Sequence, residues 1–173
     1  IKRNTSDGVE MNVASTTNIF FANRVFSNGT MGFRFAVGAG SNNRLIRNVI
    51  YRNGPDGIVF LDGKRNSILN NDVYGHTIRG IRVYAAASSN YFFNNALLSN
   101  GSVGFSNAGL GAVFSNNISF GHTRNVTNTA GIFAAGDNIT ANPLFSNATA
   151  GNFRLSGPNP VSPAVDSGTT NGL

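Results

Sequence analysis

The sequence predicts an all-β solenoid of about 24 residues per coil, and three observations carry that prediction. A glycine precedes a short apolar alternation at Gly8, Gly32, Gly57, Gly80 and Gly104, with spacings of 24, 25, 23 and 24 residues. Asparagines hold three further registers within the same period. The strong helix formers Glu and Lys are scarce, while Val, Ile, Phe and Asn recur in short alternations among 21 glycines, which fits many short strands and turns.

Each coil opens with the strand after its glycine. GVEMNV, GFRFAV, GIVFLD and GIRVYA alternate with period two, whereas GFSNAG breaks the alternation and predicts a degraded fifth strand. A first polar position follows at Asn18, Asn43, Asn66 and Asn90, with Ala112 in the fifth coil; two residues on come apolar Phe20, Leu45, Ile68, Phe92 and Phe114. The second polar position is the predicted structural ladder of Asn23, Asn48, Asn71, Asn95 and Asn117, followed by Val25, Ile50, Val73, Leu97 and Ser119. The third holds Asn28, Asn53, His76, Asn100 and His122. A coil of this kind cannot bury its apolar side alone, but stacked coils share one core and place like residues above one another. Asparagine suits such rows because its amide both donates and accepts and tolerates turns. The recurring glycine is assigned to a bend at positive φ.

At 173 residues the chain is long enough for one domain with a core. The absence of cysteine excludes disulfides and thiolate metal sites, and leaves the compartment open. Thirteen Lys and Arg against seven Asp and Glu give a net charge of +6, which attracts polyanions. No apolar run approaches the ~18 residues of a membrane span. Nucleic acid would suit the charge, but no nucleic-acid motif is present, so no such partner is expected. The expected organisation is solenoid coils over 1–128, then a last coil and C-terminal cap over 129–173. Asn4 precedes Gly8 as Asn28 precedes Gly32, so the chain starts inside a coil. Upstream coils are expected to be missing, with end-to-end self-association through the exposed N-terminal coil.

The N-x-Φ-x-x-N-x-Φ-x-x-N pattern ending in Gly-Φ, with Φ apolar, resembles the right-handed, single-stranded parallel β-helix repeat superfamily, in particular its carbohydrate-binding and sugar-hydrolase, polysaccharide lyase-like and NosD-like repeats. The C-terminal segment is similar to the closing segment of secreted bacterial β-helix proteins, through Asn142-Pro143-Leu144-Phe145, Asn152-Phe153-Arg154-Leu155 and Ser162-Pro163-Ala164-Val165-Asp166. The resemblance implies a secreted or cell-surface protein whose partner is an acidic polysaccharide. One fold hosts many functions, so activity has to be argued from side chains.

Strand parity selects the candidate site. Ile81 and Val83 take the core face, so Arg82 and Tyr84 point outward, in columns with Glu10, Arg34 and Val59 and with Asn12, Ala36, Leu61 and Ala108. Arg34 and Arg82 are thus expected to flank an accessible Val59–Leu61 patch beside Tyr84, an arrangement that suits a uronate polymer. Lys64 and Arg65 follow Asp62 in the next turn, and Arg65 joins the expected substrate contacts. In the lyases that the chain resembles, a Lys or Arg base abstracts the C5 proton of a uronate, often with Ca²⁺. By that resemblance Lys64 and Arg82 are the catalytic candidates, and Ca²⁺ is implied by the resemblance alone. No acidic column on neighbouring coils supports a calcium cluster, and neither the tandem acidic motif of β-helix hydrolases nor the D-P-H-E type motif of alginate epimerases occurs. His76 and His122 fill asparagine positions two rungs apart, ~10 Å at ~4.8 Å per rung, which is too far to share an ion; no metal site is expected. The reading is a β-helix that binds an acidic polysaccharide, with β-elimination as its catalytic version. The alternative is a non-catalytic structural, adhesin or filament-forming module.

Overall fold

The computed structural model describes residues 1–130, 133–147, 150, 152–155 and 162, and the account concerns these. Three parallel sheets run side by side along one axis. The first stacks Val9–Met11, Phe33–Phe35, Asp56–Phe60, Arg79–Val83, Val103–Asn107 and Arg124–Asn128. The second stacks Ile19–Phe21, Arg44–Ile46, Ser67–Leu69, Tyr91–Phe93, Ala112–Ser115 and Phe133–Gly136. The third stacks Arg24–Phe26, Val49–Tyr51, Asp72–Tyr74, Ala96–Leu98 and Ile118–Phe120. Every pairing within these sheets joins one coil to the next in parallel register, and successive coils repeat the same three strands, five in the third sheet and six in each of the others, which is a β-solenoid.

The core is one column of inward side chains. Phe33, Phe35, Leu45, Ile50, Ile58, Phe60, Ile68, Val73, Ile81, Phe92, Leu97, Phe105 and Phe114 are all fully buried. Their rings interlock along the axis, with Phe35 stacked on Phe60 at 3.9 Å and Phe105 on Phe114 at 4.3 Å between centroids. Each such side chain contributes roughly 1.5–3 kcal/mol relative to exposure, so the axial column dominates stability.

Corners separate the sheets, and each is built by two consecutive residues. The first is in the left-handed region, as at Arg47 (φ 55), Asn70 (φ 56) and Asn94 (φ 55) between the second and third sheets. The second is a ladder asparagine. Asn48 donates from its backbone N–H (2.9 Å) and from Nδ2 (3.0 Å) to Oδ1 of Asn71, and Nδ2 also donates to the Phe20 carbonyl at 2.9 Å. Such bonding satisfies the amide completely, which is why these residues are buried without penalty. The ladder also extends beyond Asn117, to Asn138, whose Oδ1 accepts from Asn117 N at 2.9 Å.

Two local expectations are corrected. The anchor glycines Gly8, Gly32, Gly57, Gly80 and Gly104 do not have positive φ. They serve close approach instead: a Cβ on Gly57 would lie 2.6 Å from the Gly80 carbonyl oxygen and 2.7 Å from His76 Nε2. The fifth strand is not degraded, because Val103–Asn107 pairs on both sides like its predecessors. Asn107 breaks the apolar alternation yet faces inward, where its Nδ2 donates to Asn128 Oδ1 (2.8 Å) and the Gly109 carbonyl (2.9 Å). Backbone pairing does not require an apolar side chain when the polar one is satisfied.

After the last coil, Phe145–Asn147 and Asn152–Leu155 pair antiparallel. Ser162 Oγ donates to the Pro143 carbonyl at 2.6 Å; the rest of the Ser162–Asp166 motif lies outside the described residues.

Candidate functional site

The outward column of the first sheet is in register as Glu10, Arg34, Val59, Arg82 and Ser106. Of its two arginines Arg34 is ion-paired, whereas Arg82 is in no salt bridge among the described residues; beside the column Arg79 is also paired. Arg34 Nη1 lies 3.6 Å from Asp7 Oδ2 and 3.5 Å from Glu10 Oε1, and Arg79 Nη1 lies 3.4 Å from Asp56 Oδ1. Burial raises the Asp56 carboxyl above its ordinary range, against the pull of Arg79 and Arg82. The Arg82 guanidinium sits over the Tyr84 ring, 4.1 Å from its centroid. Val59, expected to be accessible, is only 1% exposed, because it lies in register between the long side chains of Arg34 and Arg82. Leu61 and Tyr84 are half-buried.

Lys64 and Arg65 are exposed at the corner between the first and second sheets, where Arg65 occupies the left-handed position (φ 54). Lys64 follows Val59 by five residues and a turn through Gly63 (φ 97), so Lys64 and Arg82 lie on different sides of a corner. Asp62 is committed to the backbone, accepting from Gly63 N at 2.7 Å and Gly38 N at 3.1 Å. No group of three or more His, Cys, Asp or Glu among the described residues is placed to hold a metal ion.

The third sheet presents a different surface. Its outward columns are Arg24, Val49, Asp72, Ala96 and Ile118, and Phe26, Tyr51, Tyr74, Leu98 and Phe120. Phe26 and Tyr51 stack with centroids 4.8 Å apart and planes 7° from parallel. Arg24 donates to Tyr51 Oη at 3.3 Å and lies 5.7 Å from that ring's centroid, while Lys2 Nζ is 5.8 Å from the Phe26 centroid. The left-handed corners on the two flanks of this sheet carry Arg47 on one side and Arg3 and Arg52 on the other. Residues at these corners project from the solenoid, and Lys2, Arg3, Arg24, Arg47 and Arg52 are all exposed. Among the described residues none of them forms a salt bridge. Five exposed cations outside salt bridges thus gather on and around the third sheet, while Lys64, Arg65 and Arg82, at the first sheet and its corner, are likewise outside salt bridges among the described residues. Parity could have revealed the aromatic column in RVF, VIY and DVY; the flanking arginines gave no periodic signal, since left-handed corner residues vary freely.

Asp72 is the acid of this surface, and burial pushes its carboxyl up to about 7. Much of its charge is thus lost near neutrality. His76, by contrast, is structural. It replaces a ladder asparagine, its Nε2 takes the position of the amide donor 3.3 Å from the Ile50 carbonyl, and burial lowers its pKa to about 4. Its Nδ1 has no hydrogen-bond partner. His122 plays the same part with Nε2 3.0 Å from the Leu97 carbonyl.

Parallel coils, a shared apolar axis and asparagine corners define a β-helix with two decorated outer faces. Residues 1–150 match the family model described as the right-handed β-helix region, and the chain belongs to that family. Among solved structures it is similar to the periplasmic alginate epimerase AlgG, with a TM-score of 0.74 and 15% identity over 79% of this chain. The chain spans 37% of that structure's length. No curated protein matches the sequence. Among the described residues, no helix is long and apolar enough to cross a membrane.

Proposed function

We propose that the chain binds an acidic polysaccharide along the outer face of the third sheet, outside the cytoplasm where such polymers occur. The observation that carries this is the cluster of unpaired cations Lys2, Arg3, Arg24, Arg47 and Arg52 around the Phe26–Tyr51–Tyr74 column. A polyanion gains charge-assisted contacts from such a strip without breaking existing ion pairs. The structurally similar epimerase acts, by its name, on alginate, which agrees in ligand class.

The first-sheet face is the second reading. Arg82 over Tyr84 offers a planar cation on an aromatic support, and the catalytic version there is β-elimination with Lys64 or Arg82 as base. Arg34 and Arg79 are already held by carboxylates, so a glycan would have to displace Asp7, Glu10 and Asp56.

Retention on immobilised polyuronate, with a neutral glycan as control, tests binding. The expected result is selective retention on the acidic matrix that weakens with salt. Equal elution from both matrices would leave the non-catalytic structural module as the function. Ultraviolet absorbance of an unsaturated uronate product, measured with and without Ca²⁺, tests the lyase version; its absence in both conditions removes Lys64 and Arg82 as bases.

A further inference from the structure

The aromatic column of the third sheet does not run free to the end of the solenoid. Beyond Tyr74 it meets the segment that carries Asn142 and Asn147, and between them lies a cavity of about 310 Å³. Tyr74, Ser99 and Phe120 line it from the solenoid; Asn142, Phe145 and Asn147 line it from the segment after the last coil. Among the described residues no acidic one lines it. The volume lies at the small end of ligand sites and suits a short oligosaccharide end rather than a polymer in passage. Rings and amides are the chemistry that recognises a sugar: the rings cover apolar C–H faces, and the amides bond hydroxyls. Asn142 Oδ1 is engaged by the Leu144 N–H at 3.0 Å, so its Nδ2 is the group that can donate to a hydroxyl.

A cation lies one rung from the cavity: the Arg52 N–H donates to the Tyr74 carbonyl at 2.9 Å, although Arg52 is not itself among the lining residues. Arg52, Gly75 and Ser99 occupy successive left-handed corner positions in one row, with φ of 50, 69 and 45. The Arg52 stem crosses Gly75, its Cγ 3.6 Å from where a Cβ of Gly75 would be. Glycine there leaves room for the arginine stem beside the Tyr74 rung.

We propose that this cavity is a subsite for the terminal unit of an acidic glycan, with the sugar against Tyr74 and Phe120, its hydroxyls on Asn142 and its carboxylate on Arg52. The inference rests on the reading that the third sheet binds an acidic polysaccharide, and adds that the strip is closed at one end and so recognises a chain terminus.

The test uses the full chain, a uronic-acid trisaccharide, its methyl ester and the parent polymer. Ser99→Trp fills the cavity from an exposed corner, and Asn142→Ala removes an amide from an exposed segment; neither alters the core. Titration calorimetry is expected to show roughly ten-fold weaker trisaccharide binding in each variant and in Arg52→Ala, with the ester bound as weakly by the unaltered protein. Polymer retention in Ser99→Trp and Asn142→Ala should stay within about two-fold of the parent, because most polymer contacts lie on the cationic strip. Trisaccharide affinity unmoved by both cavity variants overturns the subsite and leaves the strip standing. A protein that binds the trisaccharide through the cavity yet ignores the polymer keeps the subsite and loses the strip. Binding of neither ligand overturns both, and equal affinity for a charge-matched oligonucleotide overturns the sugar assignment.

Discussion

Asn71 shows what a single residue contributes to this architecture. Its backbone N–H and Nδ2 both donate to Asn95 Oδ1 at 3.0 Å, Nδ2 reaches the Leu45 carbonyl at 2.9 Å, and its Oδ1 accepts from Asn48 N and Nδ2 at 2.9 and 3.0 Å. Asn71→Ala strands several buried donors and acceptors at once, so a loss of about 3 kcal/mol or more is expected in denaturant unfolding. His76 fills the equivalent place less well, since its Nδ1 is unpartnered. Its folded pKa of about 4 lies below the ordinary 6.5, so the unfolded chain takes up the proton first as pH falls. Stability contributed by neutral His76 is therefore present above 6.5 and lost between 6.5 and about 4, by at most roughly 3 kcal/mol. Asp72 has the opposite sign: raised from 3.8 to about 7 in the fold, it favours the native state at low pH, and that contribution is lost as pH rises through 7. The two contributions oppose each other over most of this range. His76→Asn should flatten the acid side of a melting-temperature profile, and Asp72→Asn should raise the melting temperature near pH 8 while steepening the acid loss. Superimposable profiles for the parent and both variants would show that neither group titrates differently in the fold.

At the level of the coil, the repeated glycine was legible in the sequence but its purpose was not. Spacing shows that a residue recurs; it does not show whether φ or space demands it. Gly80 is demanded by space, since a Cβ would lie 2.7 Å from the Gly104 carbonyl oxygen and 2.8 Å from Asn100 Nδ2. Gly75 is not demanded by space: it sits at a left-handed corner (φ +69) that Arg52 and Ser99 also adopt in the same row, with nothing nearer than Arg52 Cγ at 3.6 Å. Gly80→Ala is accordingly expected to cost about 3 kcal/mol or more, because backbone and ladder must shift together. Gly75→Asn should cost less than about 1 kcal/mol, since asparagine accepts the left-handed corner as Asn70 does. Equal melting temperatures for the two variants would contradict this assignment. The fifth strand teaches the same limit from the other side. Asn107 reads as a broken alternation because its side-chain partner, Asn128, lies a coil away, and a period-two pattern does not show that the Gly109 carbonyl accepts from it.

For the whole molecule, the stacked rows were written in the sequence because in-register stacking repeats a residue type at each rung. Surface function was written less clearly. Parity placed Arg34 and Arg82 outward, with Glu10 in the same column, but nothing local announced that Asp7 would also reach Arg34 or that the long arginine side chains would leave Val59 buried. The third-sheet surface draws on Lys2, Arg24, Arg47, Arg52 and Tyr74 from several coils and two corners, and such a cluster exists only after the chain is wound. The central claim is that this surface, and not the first sheet, holds an acidic glycan. The most direct measurement compares Arg24→Ala/Arg47→Ala/Arg52→Ala with Arg34→Ala/Arg82→Ala by the salt concentration that elutes each from immobilised polyuronate. The triple variant is expected to elute at much lower salt than the parent, and the double variant close to it. Retention lost in the double variant and kept in the triple one would contradict the account and place the ligand on the first sheet.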